Sequence, residues 1–180
     1  MKLDGLHVLI LVANGFEDLE FYVPLMRLQE EGARVTVAGI TANEPVTGKN
    51  GLHAMPRTSI ADCSASEYDA IVIPGGWAPD KLRRYDEVKQ LVRDFNHARK
   101  VIAMICHGGL VGISAGIVRG HPAVGSEGIK DDLINAGAVW RDEPAFRSDN
   151  LVWGRVVADI PDFCRELVIA LAEQNSKSLH

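Results

Sequence analysis

Four stretches of this chain are apolar almost without interruption: LHVLILVA (6–13), RVTVAGI (34–40), DAIVIPGG (69–76) and VIAMIC (101–106). Continuous apolar runs of this length suit strands buried on both faces of a parallel sheet. The segments between them change period. NGFEDLEFYVPLMRLQEEGA repeats at helical spacing and ends at Gly32, a natural C-terminal cap, while Pro24 predicts a kink or a late start. From Pro79 to His97, a helix has Leu82, Val88, Leu91, Val92 and Phe95 as its inner face. A short helix runs from about Gly108 to Ala115. GIKDDLINAGA forms another, with acids in its first turn, and the last opens at Asp159 with Pro161 just inside. EPVTGKNGLHAMPRTSI reads as a hairpin or meander turning at Gly48–Gly51. HPAVGS reads as a short strand, and EPAFRSDNLVWGRV as two strands around Ser148, Asp149 and Asn150.

Buried strands alternating with helices predict an α/β fold: a flavodoxin-like, doubly wound parallel sheet sandwiched by helices, with a small antiparallel addition, in one domain over residues 1–180. Sites in such sheets lie beyond the carboxyl ends of the strands. Three loops meet there: NGFED, GGWAPD and CHGG.

The turn at Cys106 has two readings. It is a nucleophile elbow, holding a side chain exposed at the lip of the sheet, or Gly108 and Gly109 simply let a helix pack closely. At a helix N-terminus the dipole and free amides lower a thiol's pKa. Backbone amides at the elbow, including Gly108, and in the Gly75–Gly76 turn are placed to converge on an oxyanion. Glu17 either starts a helix or enters the crevice protonated and donates to the Cys106 sulfur. His107 is the obvious base, although adjacent side chains at a sharp turn diverge. Asp80 is a first-turn helix acid or the group that orients His107 across a subunit boundary. Trp77 shapes the pocket or belongs to an interface. His7, His53, His97 and His121 show no partner spacing, and His180 is expected to fray.

Composition narrows the partners. The chain is 47% hydrophobic and 24% charged, with a net charge of −5. No basic cluster offers a footprint for nucleic acid or an anionic membrane. No run approaches the ~20 residues that span a bilayer and no signal-type leader is present, so a cytoplasmic location is expected. Cys63, Cys106 and Cys164 are widely spaced and lack C-x-x-C pairing, which argues for reduced thiols and against a metal site. Cys164 reads as a small core residue, Cys63 has no base nearby, and the chemistry at Cys106 requires no cofactor.

ANGFEDLE, DAIVIPGGWAPDKLR, VIAMICHGGLVGISAGIVRG, GIKDDLINAGA and DIPDFCREL, in this order and spacing, resemble the PfpI family of intracellular cysteine proteases. That family lies within the ThiJ/PfpI superfamily, related to class I glutamine amidotransferases. The resemblance implies a dimer, or a hexamer built from dimers. It places the nucleophile at Cys106, the adjacent histidine at His107 and the thiol-contacting glutamate at Glu17. The acid that orients the histidine from a neighbouring subunit, commonly Glu in the family, falls on Asp80. Three positions depart from the pattern: Gly109 stands where Pro is expected, Ser126 where archaeal protease-type members carry Tyr, and Trp77 where they carry Arg. The function implied is that of a cofactor-free cysteine hydrolase acting on amide, reactive-aldehyde or glycated substrates, with a role in stress protection. The alternative is a redox-responsive stress protein whose Cys106 is oxidised with little turnover. A glutamine amidotransferase role is set aside because no H-x-E follows Cys106.

Overall fold

The four apolar runs lie side by side in the centre of a computed structural model that describes residues 1–178, with side chains described through Ser176; His180 lies outside the described residues. In chain order the elements are β1 (His7–Leu11), α1 (Asp18–Glu30), β2 (Arg34–Gly39), β3 (Val46–Thr47), β4 (His53–Ala54), β5 (Thr58–Ser59), β6 (Ala70–Ile73), α2 (Ala78–Leu82), α3 (Asp86–His97), β7 (Val101–Ile105), α4 (Gly109–Ala115), β8 (Pro122–Ala123), α5 (Lys130–Asn135), β9 (Val139–Trp140), β10 (Ala145–Ser148), β11 (Leu151–Gly154) and α6 (Ile160–Ser178).

The main sheet has the order β10-β11-β7-β6-β1-β2-β5. Every pairing in it is parallel except β10 with β11, and β3 and β4 form a separate antiparallel hairpin. All four residues of β6 and all five of β7 are buried, as strands covered on both faces require. α6 covers one face with Phe163, Leu167, Val168 and Leu171 and packs on α1; α3 covers the other with Val88, Leu91, Val92 and Phe95 and packs on α4. The connection from β1 to β2 lies on one side of β1 and β6 on the other, so their carboxyl ends form the crevice in which this class of sheet builds its sites.

Four expectations shift. α1 runs from Asp18 through a buried Pro24 to Glu30 without starting late. The predicted helix 79–97 is two helices, because Leu82 and Val88 stand six residues apart, a spacing that one helix would place on different faces. HPAVGS contributes β8, which pairs with β9 outside the main sheet. The last helix begins at Ile160 after a single 3-10 turn over Val157–Asp159. Among the described residues no helix is long and apolar enough to cross a membrane.

Candidate active site

β7 ends at Ile105, and the next residue, Cys106, adopts φ +58°. Left-handed backbone is costly for a residue with a Cβ, on the order of 1–3 kcal/mol, and is retained where surrounding structure enforces it. Here the enforcement comes from packing below the turn. A Cβ on Gly108 would strike the carbonyl oxygen of Ile73, so only glycine lets the turn descend onto the end of β6. Gly108 is thus a packing position. A Cβ on Gly109 would come within 3.1 Å of Trp153 Cζ3, so the buried indole fills the space above this residue, where the family pattern has proline.

The loops after β1 and β6 are stitched together by backbone. Glu17 N–H donates to Gly75 O at 3.1 Å and Trp77 N–H to Gly15 O at 2.7 Å, with Gly15 and Gly76 both at positive φ. This leaves Gly76 N–H, together with His107 N–H, directed at the Cys106 sulfur. Gly75 acts differently from the expected oxyanion donor. Its N–H donates at 2.7 Å to Glu20 Oε2, and a Cβ there would collide with that carboxyl.

The carboxyl beside the thiol belongs to Glu20, not to Glu17. Glu17 is the N-cap of α1, and its Oε2 accepts from Leu19 N–H at 2.8 Å and Glu20 N–H at 2.9 Å. Its other oxygen accepts from Asn50 Nδ2 at 3.0 Å. A side chain folded back over its own helix start cannot also reach the sulfur. One turn on, Glu20 points inward, is 0% exposed and interacts with Cys106. Its Oε1 is buried with no oxygen or nitrogen partner.

The electrostatics of this pair reverse the expectation of a thiol depressed by a helix dipole. Burial, followed by the negative charge of Glu20, pushes the Cys106 thiol up to about 12, against the smaller pull of the His107 and Gly76 amides. Burial also pushes Glu20 up to about 7. Groups this close titrate as a pair, and between those values they hold one proton. When it rests on Glu20 Oε1, the carboxyl donates to sulfur, the repulsion vanishes, and the two amides face a thiolate. The thiolate is therefore reached by moving the shared proton from sulfur to Glu20 Oε1.

His107 reaches the thiol despite being adjacent to it, with Nδ1 3.4 Å from Sγ. Burial, followed by the charge of Lys49, lowers its pKa, with a smaller opposing effect from Asp132. At neutral pH it is a neutral imidazole, able to accept a proton. Asp80 does not approach it within this chain. Asp80 is 59% exposed, and Oδ2 pairs with Arg84 across one helical turn at 2.5 Å. Trp77 is 64% exposed and its ring covers Gly15, leaving the indole as an accessible flap beside the β1–β6 seam. Among the described residues, no group of three or more His, Cys, Asp or Glu is placed to hold a metal ion.

Glu20, Lys49 and Asp132 are site residues that the sequence reading did not single out. Glu20 had a signal: in EDLE, the residue three positions after an N-cap lies one turn into the helix, on the face that meets the sheet. Lys49 and Asp132 had none, since long-range packing alone brings them to His107.

Similarity to known proteins agrees with this geometry. The DJ-1/PfpI family profile matches residues 6–170. A deglycase of Pyrococcus horikoshii is 40% identical over 161 residues, which cover 89% of this chain and 96% of the relative. The PfpI deglycase of Pyrococcus furiosus is 37% identical with the same coverage. A two-domain protein of Anabaena variabilis, containing DJ-1/ThiJ/PfpI-like and ferritin-like domains, superposes with a TM-score of 0.90 at 37% identity; the match covers 92% of this chain and 48% of that one. With a profile match over nearly its whole length and relatives near 40% identity, this chain belongs to the DJ-1/PfpI family.

Proposed function

We propose that the chain is a cofactor-free cysteine hydrolase of the PfpI type, with Cys106 attacking the carbonyl of a reactive aldehyde, a glycated amine or an amide. The observation that carries this reading is Cys106 held at positive φ between Glu20 and His107, with two backbone N–H groups directed at its sulfur. The names of its relatives as deglycases favour glycated and aldehyde substrates over peptides.

In the first step the Cys106 thiolate adds to the carbonyl carbon, forming a C–S bond as the C=O electron pair moves to oxygen. Glu20 Oε1 then supplies the proton that neutralises this oxygen, as a buried carboxylic acid raised to about 7 can do. With an amide the C–N bond then breaks, the hydroxyl proton passing through Glu20 to the departing amine, and a thioester remains; with a 2-oxoaldehyde the C1 proton is moved to C2 by His107, so that C1 is oxidised and C2 reduced and the same thioester level is reached. Neutral His107, its lowered pKa keeping it basic but uncharged at rest, takes a proton from water, whose addition breaks the C–S bond and releases the carboxylic acid and the Cys106 thiolate. Glu17 and Asn50 hold the start of α1, and through it Glu20, in position. Asp80 has no role within one chain, and we place it at an interface of a homo-oligomer, where it would face a neighbour's histidine. Stress protection in the cytoplasm is the physiological role that fits clearance of aldehydes.

The test is a parallel assay of wild type and Cys106→Ala with methylglyoxal, a glycated peptide and an unfolded protein. Loss of turnover on at least one substrate in the variant is expected; equal activity of both proteins on all three would reject the reading. A second reading is favoured by the buried, unpartnered Glu20 Oε1, which would hydrogen-bond a sulfinic acid formed on Cys106 by peroxide. Mass analysis after mild peroxide treatment should then find two added oxygens at Cys106 with no associated turnover.

A further inference from the structure

The tip of the β3–β4 hairpin brings a cation to the thiol site that the chemistry above leaves unused. The tip is fixed by unusually many tethers for a short turn. Asp18, 2% exposed at the start of α1, spends both carboxylate oxygens on it, accepting from Asn50 N–H at 2.9 Å and from Leu52 N–H at 2.8 Å. Lys49 N–H donates to Phe16 O at 2.9 Å, and Gly15 N–H to Thr47 O at 2.8 Å. Gly48 lies so close that a Cβ would come within 2.6 Å of the Asp18 carboxyl carbon. Burying a carboxylate to immobilise an exposed turn makes sense where the turn presents something.

What it presents is Lys49. Its side chain is exposed and its ammonium forms no ion pair or hydrogen bond among the described residues, whereas Lys89 and Lys130 pair with carboxylates and Lys81 and Lys100 donate to carbonyl oxygens. Its charge acts on both Glu20 and His107, from opposite ends of the sequence of the site. The dominant influences on the Cys106 sulfur are burial, Glu20 and two backbone amides, so Lys49 is not chiefly a thiolate partner. Lys49 N–H on Phe16 O and Asn50 Nδ2 on Glu17 Oε1 seat the tip against the seam where Phe16 pairs with Gly76, so the lysine is rooted at the rim of the thiol site while its ammonium stays free to reach a ligand. An unpaired ammonium there, in a chain of net charge −5, is the arrangement that selects an anionic substrate group and offsets its repulsion by Glu20.

We infer that Lys49 is an anion-binding residue of the Cys106 site and that the preferred substrates carry a carboxylate close to the reacting carbonyl. The substrate half of this inference rests on the reading of Cys106 as a carbonyl-directed nucleophile; the binding half does not. Two alkylating reagents of nearly equal size separate them, iodoacetate and iodoacetamide, with modification of Cys106 followed by peptide mass. The ratio of the iodoacetate to the iodoacetamide rate should exceed that of a free small thiol in the wild type. It should fall at least fivefold in Lys49→Ala, fall further in Lys49→Glu, recover in Lys49→Arg, and diminish as salt rises, as an exposed charge requires. A ratio unmoved by Lys49→Glu, or equal slowing with both reagents, would overturn the inference by making Lys49 inert or a general activator. With turnover, Lys49→Ala should lower kcat/KM for 4,5-dioxopentanoate, a 2-oxoaldehyde that carries a carboxylate, at least fivefold more than for methylglyoxal, and an equal loss on both would reject the carboxylate preference. If the wild type turns over neither aldehyde, the carbonyl reading fails and takes the substrate half with it, while the alkylation ratio still decides anion binding.

Discussion

Two side chains at this site sit where their isolated chemistry opposes them, and each yields a measurable consequence. Cys106 occupies φ +58°, a conformation that glycine adopts freely. Cys106→Gly should therefore be about 1 kcal/mol more stable than Cys106→Ala in urea unfolding, the strain relieved exceeding the entropy glycine adds to the unfolded chain. At an ordinary position the order would be reversed. Glu20 is a carboxyl whose folded pKa is raised from 4.5 to about 7. Below pH 4.5 both folded and unfolded forms are protonated and its burial carries no ionisation penalty. As pH rises towards 7 only the unfolded chain releases the proton, and stability falls by a total of about 3 kcal/mol before levelling off. Glu20→Gln keeps an acceptor for Gly75 N–H and a donor for the sulfur while removing the titration. Its stability relative to wild type should rise between pH 4.5 and 7 and stay constant above, as followed by denaturant unfolding at pH 4.5, 6 and 8. A constant difference across that range would mean that Glu20 is ionised in the folded chain throughout.

At the scale of elements, the site depends on the first turn of α1 more than on the elbow. Asp18→Ala removes the acceptor for two amides of the hairpin tip, Asn50 N–H and Leu52 N–H. The expected cost is about 2–3 kcal/mol, with faster proteolytic cleavage around residues 48–52 while the sheet remains intact. Unchanged cleavage would show that β3–β4 pairing and the bonds of Thr47 and Lys49 to Gly15 and Phe16 hold the tip without Asp18. This same turn marks how far the sequence could be read. The sheet was legible because LHVLILVA, DAIVIP and VIAMIC confine their polar residues, His7 and Asp69, to the start of the run and leave none to place on a solvent face, and the elbow because a buried strand ran directly into Cys-His-Gly-Gly. The sequence reading places Glu17 at the thiol and passes over Glu20, a difference of helix phase: with Asp18 as the first helical residue, Glu17 must cap and Glu20 must face inward. Capping rules contained that answer, whereas proximity to the strand end favoured Glu17. Lys49 could not be found in this way, since its place is set by a buried Asp18 thirty-one positions earlier and by a tip with no chemical signature of its own. The break between α2 and α3 was available in the six-residue gap from Leu82 to Val88, which a helix period does not accommodate.

At the scale of the whole molecule, one fold gives three thiols three different fates. Cys164 lies on α6, 5% exposed against the sheet, and burial pushes it up to about 11. Cys63 is half-buried beyond β5, at the end of the 3-10 turn Ile60–Asp62. It donates to Ser59 O at 3.4 Å, lies 3.8 Å from Tyr68 Oη and is raised by burial, then by the carboxylates of Glu67 and Asp62. Cys106 is the thiol that has a neighbouring carboxyl able to take its proton, and the sheet brings that carboxyl to it from a strand-helix unit 86 residues earlier in the chain. Native protein treated with iodoacetamide at pH 7.5 should therefore lose Cys106 first, Cys63 at least tenfold more slowly, and Cys164 at the rate of unfolding. The pH profiles should differ in shape as well as in rate. Once the Glu20–Cys106 pair has released its first proton near pH 7, the reactive form stays at constant population until the second leaves near 12, so Cys106 should show a plateau from about pH 8 to 10. Cys63, with no proton-sharing partner of that kind, should continue to gain reactivity throughout that range. In Glu20→Ala the plateau should disappear and the Cys106 rate at pH 7.5 should drop about tenfold, because the proton then has only water or His107 to receive it. Parallel profiles for Cys106 and Cys63 in the wild type would place the activation in the elbow's backbone alone and remove Glu20 from the mechanism.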